Sequence, residues 1–131
     1  MELRSLSRLL LLLSIGSLLP AADFALKVTP QTIAWGYYWS AAKPVLTVHS
    51  GDTVTIETVS GNPERLEQAG WPADQIPSAL RTIYKEIPQD QRGPGGHLLT
   101  GPVAIEGAEP GDVLEVRIRE IRMDVPFAYN T

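Results

Sequence analysis

Two similar segments of alternating apolar and polar residues constrain the fold of this chain more than any other feature. The first is KPVLTVHSGDTVTIETV, residues 43–59, and the second is GPVAIEGAEPGDVLEVRIREI, residues 101–121. Each begins near Pro-Val, passes through apolar residues, turns at Gly-Asp and then resumes its alternation. A period of two residues is typical of a β-strand with one face on a core and the other in water. The chain is therefore predicted to be mainly β.

The Gly-Asp turn is shared by both segments. Glycine permits the unusual backbone dihedral of a tight turn, and an aspartate beside it can bond its own backbone. Because Asp52 and Asp112 occupy equivalent places, a structural role is favoured for both. The residues expected on the core faces are Val54, Ile56 and Thr58 in the first segment and Leu114, Val116 and Ile118 in the second. We expect a sandwich or a jelly-roll-like fold. The domain is expected to be incomplete, since four strands leave open edges and half a core.

Residues 60–100 have a different composition and predict one or two short helices in a long insertion at one end of the sheet. In GNPERLEQAG, Asn62 is expected to cap a helix that Gly70 ends. In PSALRTIYKEIP, Ser78 is the expected cap and Pro88 the stop. The apolar positions at helical spacing are Leu80, Ile83, Tyr84 and Ile87. The following PQDQRGPGGH predicts a loop, and insertions of this length are often functional.

The first 22 residues predict a secretory signal peptide, which leaves residues 23–131 as the folded part. Arg4 and Arg8 form a basic head, and an uncharged apolar run extends from Leu9 to Leu19. Ala21 and Ala22 then offer a cleavage site. A spanning helix needs roughly 20 apolar residues, more than this run provides. The expected location is secreted or periplasmic, with no membrane association after cleavage; an uncleaved anchoring helix is the alternative.

Charge and cysteine content exclude several classes of protein. The formal net charge is −4, and removing Glu2, Arg4 and Arg8 with the signal peptide changes it by −1 to about −5. Such an acidic chain is not expected to bind nucleic acid, which requires a basic surface. The chain has no cysteine, so it forms no disulfide and no thiolate metal site.

The two histidines lie in different settings. His97 follows a glycine-rich loop and precedes a predicted strand, so it is either a solvent-exposed loop residue or a residue at the mouth of a cleft. His49 precedes the first Gly-Asp turn and is expected to be a surface residue. Glu106 and Glu109 flank the second turn, where carboxylates can bind a metal ion, act as a general base or accept bonds from backbone donors.

The aromatic segment AWGYYWS, residues 34–40, has two open interpretations. Strand alternation would place Trp35, Tyr37 and Trp39 on one face and Tyr38 on the other. Such residues can line a small-substrate pocket or an interface, or they can fill the core. No Gly-x-Ser-x-Gly nucleophile motif and no His-Glu-x-x-His zinc helix is present in the sequence.

The quoted segments resemble the N-terminal part of the acetamidase/formamidase family. The similarity rests on LTGPVAIEGAEPGDVLEVRI, residues 99–118, and on WGYYWSAAKPVLTVHSGDTVTIET, residues 35–58. The resemblance implies hydrolysis of the carbon–nitrogen bond of a small linear amide, giving a carboxylate and ammonia. It also implies a mainly-β fold and a homo-oligomer when the protein is full length. A further segment rich in histidine and acidic residues is expected beyond Thr131, where it would complete the catalytic site.

The resemblance also supplies candidate site residues. His97, Thr100 and Glu106 lie in or beside the longer motif and are the expected catalytic residues. His97 and Glu106 are further expected to bind a divalent metal ion, zinc or calcium, or to orient the attacking water. A metal at such a site would polarise the amide carbonyl and lower the pKa of bound water.

A secreted, non-catalytic β-sandwich is the alternative interpretation. The segment VLTVHSGDTVTIET, residues 45–58, also resembles a strand of cupredoxin-like domains, and an export signal suits such a module. A blue copper site needs a cysteine thiolate, which this chain lacks. The alternative is therefore a binding module without copper.

Overall fold

A computed structural model describes residues 20–125 as six short strands, two α-helices and two 3₁₀ turns. The strands are β1 (Asp23–Leu26), β2 (Ile33–Trp35), β3 (Leu46–Val48), β4 (Thr53–Ile56), β5 (Leu98–Thr100) and β6 (Val103–Ile105). The helices are α1 (Pro63–Gln68) and α2 (Ser78–Glu86), and the 3₁₀ turns are Ala73–Gln75 and Gln89–Gln91. Most of the predicted signal peptide, residues 1–19, lies outside the described residues. Between residues 20 and 125, no helix has the length and apolar character needed to cross a membrane.

Within the described residues, the strands form three open sheets of two strands each. β1 pairs with β4 in parallel, β2 pairs with β5 antiparallel, and β3 pairs with β6 in parallel. The prediction of a mainly-β fold with short helices is confirmed. The two strands of segment 43–59 enter different sheets, because β3 and β4 each pair with a strand from elsewhere in the chain. The sandwich or jelly-roll arrangement stays a prediction.

Both Gly-Asp turns have the structural role expected of them. Asp52 Oδ2 accepts a hydrogen bond from the backbone N–H of His49 at 2.7 Å, and Asp112 Oδ2 accepts one from Glu109 N–H at 2.9 Å. Gly51, between His49 and Asp52, has a φ of +96°, a region that favours glycine over side-chain-bearing residues. The same three-residue spacing thus produces the same side-chain bond in both segments.

The predicted strand after the second turn is not a strand in the structure. Residues 113–121 form no strand pair with any other part of the described chain, although Arg119 Nη1 lies 3.3 Å from Thr53 Oγ1, and Val116 and Ile118 are 73% and 77% exposed. The expectation that these residues face a core is wrong, and it is wrong for Ile56 of β4 too, which is 46% exposed. Alternation marks a strand with two different faces, but only a packing partner buries one of them.

Helix α1 begins and ends as the sequence predicts. Asn62 Oδ1 accepts a hydrogen bond from the backbone N–H of Arg65 at 2.9 Å, which satisfies one of the free donors at the helix start. Pro63 opens the helix, where its missing N–H has no cost. Gly70, with a φ of +88°, follows the C-cap Ala69.

Helix α2 differs from the prediction at its first residue. Pro77 is the N-cap and makes no side-chain cap bond, while Ser78 is already helical. The prediction of Ser78 as the cap is therefore wrong: Pro77, whose ring fixes φ at −53°, is the last residue before the first helical turn. Leu80 and Ile83 are fully buried, as their helical spacing indicates.

The hydrophobic core lies in the segment expected to be a peripheral insertion. Its buried members are Val28, Trp35, Leu66, Ile76, Leu80, Ile83, Ile87 and Leu98. Six of these eight residues come from residues 60–100, because the two helices fold their apolar faces onto the β2–β5 pair. The position of residues 60–100 at one end of a sheet stays a prediction, but the segment also provides most of this core cluster.

Candidate functional site

The side chains of His49 and Glu106 contact each other at the ends of β3 and β6. The parallel register aligns Val48 with Ile105, and the backbone N–H of Glu106 donates to the carbonyl of Val48 at 2.8 Å. The residues that follow therefore lie side by side, with His49 Nε2 3.0 Å from Glu106 Oε2. The sequence predicts a surface position for His49, and the residue is half exposed, but it also contacts one of the candidate carboxylates. Only the strand register reveals this pair.

Asp52 supports His49 from the opposite side. Its carboxylate accepts hydrogen bonds from the backbone N–H groups of Ala22 and His49, at 2.8 Å and 2.7 Å. These two donors, Ala22 first, lower the pKa of Asp52 below its ordinary value because they stabilise the ionised form. Asp52 Oδ2 also lies 3.7 Å from Nδ1 of the His49 ring. The side chain of Asp52 is only 5% exposed, so this carboxylate is a fixed support.

His97 lies at the start of β5 with its side chain exposed. Its carbonyl accepts a hydrogen bond from the backbone N–H of Gly36 at 2.8 Å, which extends the β2–β5 pairing by one residue. Within residues 20–125, no hydrogen bond or ion pair joins the His97 imidazole to Glu106. The roles predicted for His97 and Glu106 therefore stay predictions.

Thr100 ends β5 opposite Ile33 and carries an unusual hydroxyl. Its Oγ1 atom is buried and has no hydrogen-bond partner among the described residues. Buried polar atoms without a partner are uncommon in folded proteins, and catalytic or binding roles are among the reasons for them. The hydroxyl of Thr100, a predicted site residue, therefore has hydrogen-bonding capacity that no described residue uses.

The described residues do not by themselves fit a metal ion. Between residues 20 and 125, no group of three or more histidine, aspartate or glutamate side chains is arranged to hold one. Catalytic zinc usually takes three protein ligands, and calcium takes six or more oxygen atoms. The predicted zinc or calcium ion stays a prediction.

Arg92 is an important residue that sequence reasoning missed. Its guanidinium Nη2 donates to the carbonyls of Tyr84 and Ile87 at 2.6 Å and 2.8 Å. The same group lies 4.4 Å from the centre of the Trp35 ring, within the range of a cation–π contact. Arg92 thereby ties α2 and β2 to the glycine loop that leads to His97. A single arginine in a loop gave no sequence signal for this role.

The aromatic segment divides at Gly36 instead of alternating. Trp35 is 8% exposed and packs against Tyr84 with ring centres 4.6 Å apart, whereas Tyr37 and Trp39 are 50% and 66% exposed. The expectation that Trp35, Tyr37 and Trp39 share one face is wrong, because β2 ends at Trp35 and Gly36 has a φ of +68°. The core interpretation holds for Trp35 alone.

Comparison with protein families identifies one match. The model of the acetamidase/formamidase family matches residues 37–130, which include His49, His97, Thr100 and Glu106. Neither the curated proteins nor the solved structures give a significant match. Since the matched region covers most of the sequence, this chain belongs to the acetamidase/formamidase family, a family of amide-hydrolysing enzymes.

Proposed function

We propose that the protein hydrolyses the carbon–nitrogen bond of small linear amides such as formamide and acetamide, releasing ammonia and a carboxylate. The observation that carries this proposal is the family match over residues 37–130, which contains every candidate site residue. Suitable chemical groups are the exposed imidazole of His97, the exposed carboxylate of Glu106, and the Thr100 hydroxyl, which has no hydrogen-bond partner within the described part of the chain.

The reaction requires few groups from the protein. A water oxygen adds to the amide carbonyl carbon and passes one proton to a protein group. The carbon–nitrogen bond then breaks, and the nitrogen takes up that proton and leaves as ammonia. Glu106 is proposed to accept a proton from the attacking water, and its 64% exposed side chain can reach that water. His97 is proposed to orient the water. The Thr100 hydroxyl is proposed to form a hydrogen bond with a polar group in the site when the amide is bound.

The setting of the reaction is also proposed. Its substrate is a small amide, and the protein works as a secreted or periplasmic homo-oligomer after removal of residues 1–22. Nucleic acid is not a proposed partner, given the net charge of −4.

Ammonia release from formamide and acetamide tests the proposal, using the polypeptide encoded by the complete reading frame. We expect turnover in the wild type and a fall in kcat of at least about 100-fold in His97→Ala and in Glu106→Gln, the lower range for loss of a general acid or base. Glu109→Gln is the matched control, since Glu109 is exposed in the same turn region and its hydrogen bonds with Asp112 among the described residues involve only its backbone N–H and carbonyl. Wild-type protein without turnover, or full activity in both variants, would contradict the proposal.

A further inference from the structure

We infer that His49 is a positioning residue that holds the carboxylate of Glu106 in place for amide hydrolysis. This inference rests on the proposed function for its catalytic consequence. The contact itself, His49 Nε2 to Glu106 Oε2 at 3.0 Å, stands independently of that function. The two residues are far apart in sequence, and the pairing of β3 with β6 brings them together.

Asp52 is the most firmly held group near this contact. Two backbone N–H groups, those of Ala22 and His49, bond its carboxylate, and its side chain is almost fully buried. The bond to His49 N–H fixes the backbone at the end of β3. Asp52 Oδ2 then lies 3.7 Å from the ring atom Nδ1, on the side of the imidazole that faces away from Glu106. Asp52 therefore contacts His49 twice, by a hydrogen bond to its backbone N–H and by the approach of its carboxylate to the imidazole ring.

The opposite ring nitrogen faces Glu106. The Glu106 side chain is 64% exposed, and in the described residues His49 is its one side-chain partner. A glutamate that rotates freely on a surface samples several rotamers, and fixing it in one rotamer costs side-chain entropy. A partner that already restricts the side chain reduces the entropy that must be lost during the reaction. His49 therefore restricts the carboxylate to a position beside the β3–β6 edge, where water and a small amide have access to it.

The second Gly-Asp turn provides a matched internal control. Glu109 occupies the position equivalent to His49, three residues before Asp112, and its backbone N–H makes the same bond to the aspartate. Among residues 20–125, the side chain of Glu109 has no corresponding contact with a candidate site residue. Removing the side chain at 109 changes an equivalent turn without touching Glu106.

The contact is tested by nitrogen-15 NMR of the His49 ring in the 131-residue chain. Removal of the Glu106 carboxylate in Glu106→Ala is expected to move the Nε2 resonance of His49, whereas Glu109→Ala leaves it in place. An Nε2 resonance that is the same in wild type and Glu106→Ala would overturn the inference. This readout needs no catalytic activity.

The positioning role is tested by kinetics on formamide with the complete reading frame. His49→Ala is expected to lower kcat roughly 10-fold with little change in KM, as for other partners that orient a functional group. His49→Gln is expected to restore much of the rate, because its side-chain amide can donate to Glu106. In a Glu106→Ala background, His49→Ala should have no further effect. If His49→Ala lowers kcat equally in the wild-type and Glu106→Ala backgrounds, the positioning role is overturned. If the wild type shows no turnover, the proposed function is wrong, and the NMR result alone decides whether His49 contacts Glu106.

Discussion

At the scale of single residues, Arg92 joins more parts of the fold than its loop position suggests. Its guanidinium bonds the carbonyls of Tyr84 and Ile87 and also lies over the rings of Trp35 and Tyr84. The planar fork of arginine makes these bonds together, whereas the ammonium of lysine has a different shape. The last turn of α2 and the end of β2 therefore depend on one side chain.

Arg92→Ala is expected to lower the free energy of unfolding by about 2–3 kcal/mol, since hydrogen bonds to a charged donor contribute about 1.5–3 kcal/mol. Arg92→Lys should recover only part of this loss. Urea denaturation followed by tryptophan fluorescence measures both variants. Lys85→Ala serves as the control, because Lys85 is an exposed cation on the same helix. A loss in Arg92→Ala no larger than in Lys85→Ala would contradict the assigned role.

Gly93 and Gly96 allow a second residue-scale prediction within one loop. A Cβ atom at Gly93 would lie 2.7 Å from the carbonyl oxygen of Trp35, closer than real contacts allow, whereas one at Gly96 would meet nothing within 4 Å. Gly93→Ala is expected to destabilise the protein by about 1–3 kcal/mol, the usual cost of overpacking. Gly96→Ala should leave the melting temperature nearly unchanged. Equal melting temperatures for the two variants would contradict the close approach of the loop to β2.

At the scale of elements, the first Gly-Asp turn links two sheets through one carboxylate. Asp52 bonds the backbone of His49, at the end of β3, and that of Ala22, just before β1. β4 begins at the residue after Asp52 and pairs with β1. The turn thus connects the β1–β4 sheet to the β3–β6 sheet, in addition to supporting His49.

This turn predicts a contribution to acid unfolding. Because folding lowers the pKa of Asp52, its ionised form stabilises the fold above the unfolded pKa of about 3.9, and this stabilisation is lost as the pH falls through the lower, folded pKa. Asp52→Asn should be less stable than wild type at neutral pH and should lose less stability below about pH 4. Urea unfolding between pH 2 and pH 7 measures both. Identical pH slopes for the two proteins would contradict the assignment.

At the scale of the whole molecule, the described chain combines a helical core with sheets that remain open. Leu80 and Ile83 are completely buried, whereas the apolar residues of segment 113–121 are largely exposed. Most of the apolar burial that stabilises the described chain is therefore expected to come from residues 60–100 and the β2–β5 pair.

Two isoleucines test this distribution. Ile83→Ala removes a fully buried side chain and is expected to cost about 2–5 kcal/mol of unfolding free energy. Ile118→Ala makes the same chemical change at a side chain that is 77% exposed, and its effect should stay within about 0.5 kcal/mol. Thermal unfolding by circular dichroism compares the two variants. A larger loss in Ile118→Ala than in Ile83→Ala would place the core elsewhere.

The sequence by itself determined the features that depend on neighbouring residues. The Asn62 cap, the Gly70 helix end and the Asp52 and Asp112 turns all form within a few residues, and each was predictable because the side chain and its backbone partner are adjacent. The mainly-β class also came from local patterns, whereas the candidate residues His97, Thr100 and Glu106 came from the resemblance to the family and stay predictions.

Tertiary structure alone decided which distant residues meet. The contact of His49 with Glu106 requires the parallel register of β3 and β6, and the place of Arg92 requires α2 to pack against Trp35. The exposure of Val116 shows the same limit, since an alternating pattern specifies two faces and says nothing about what covers them. Burial and long-range pairing depend on the packing of separate segments, which the order of neighbouring residues does not encode directly.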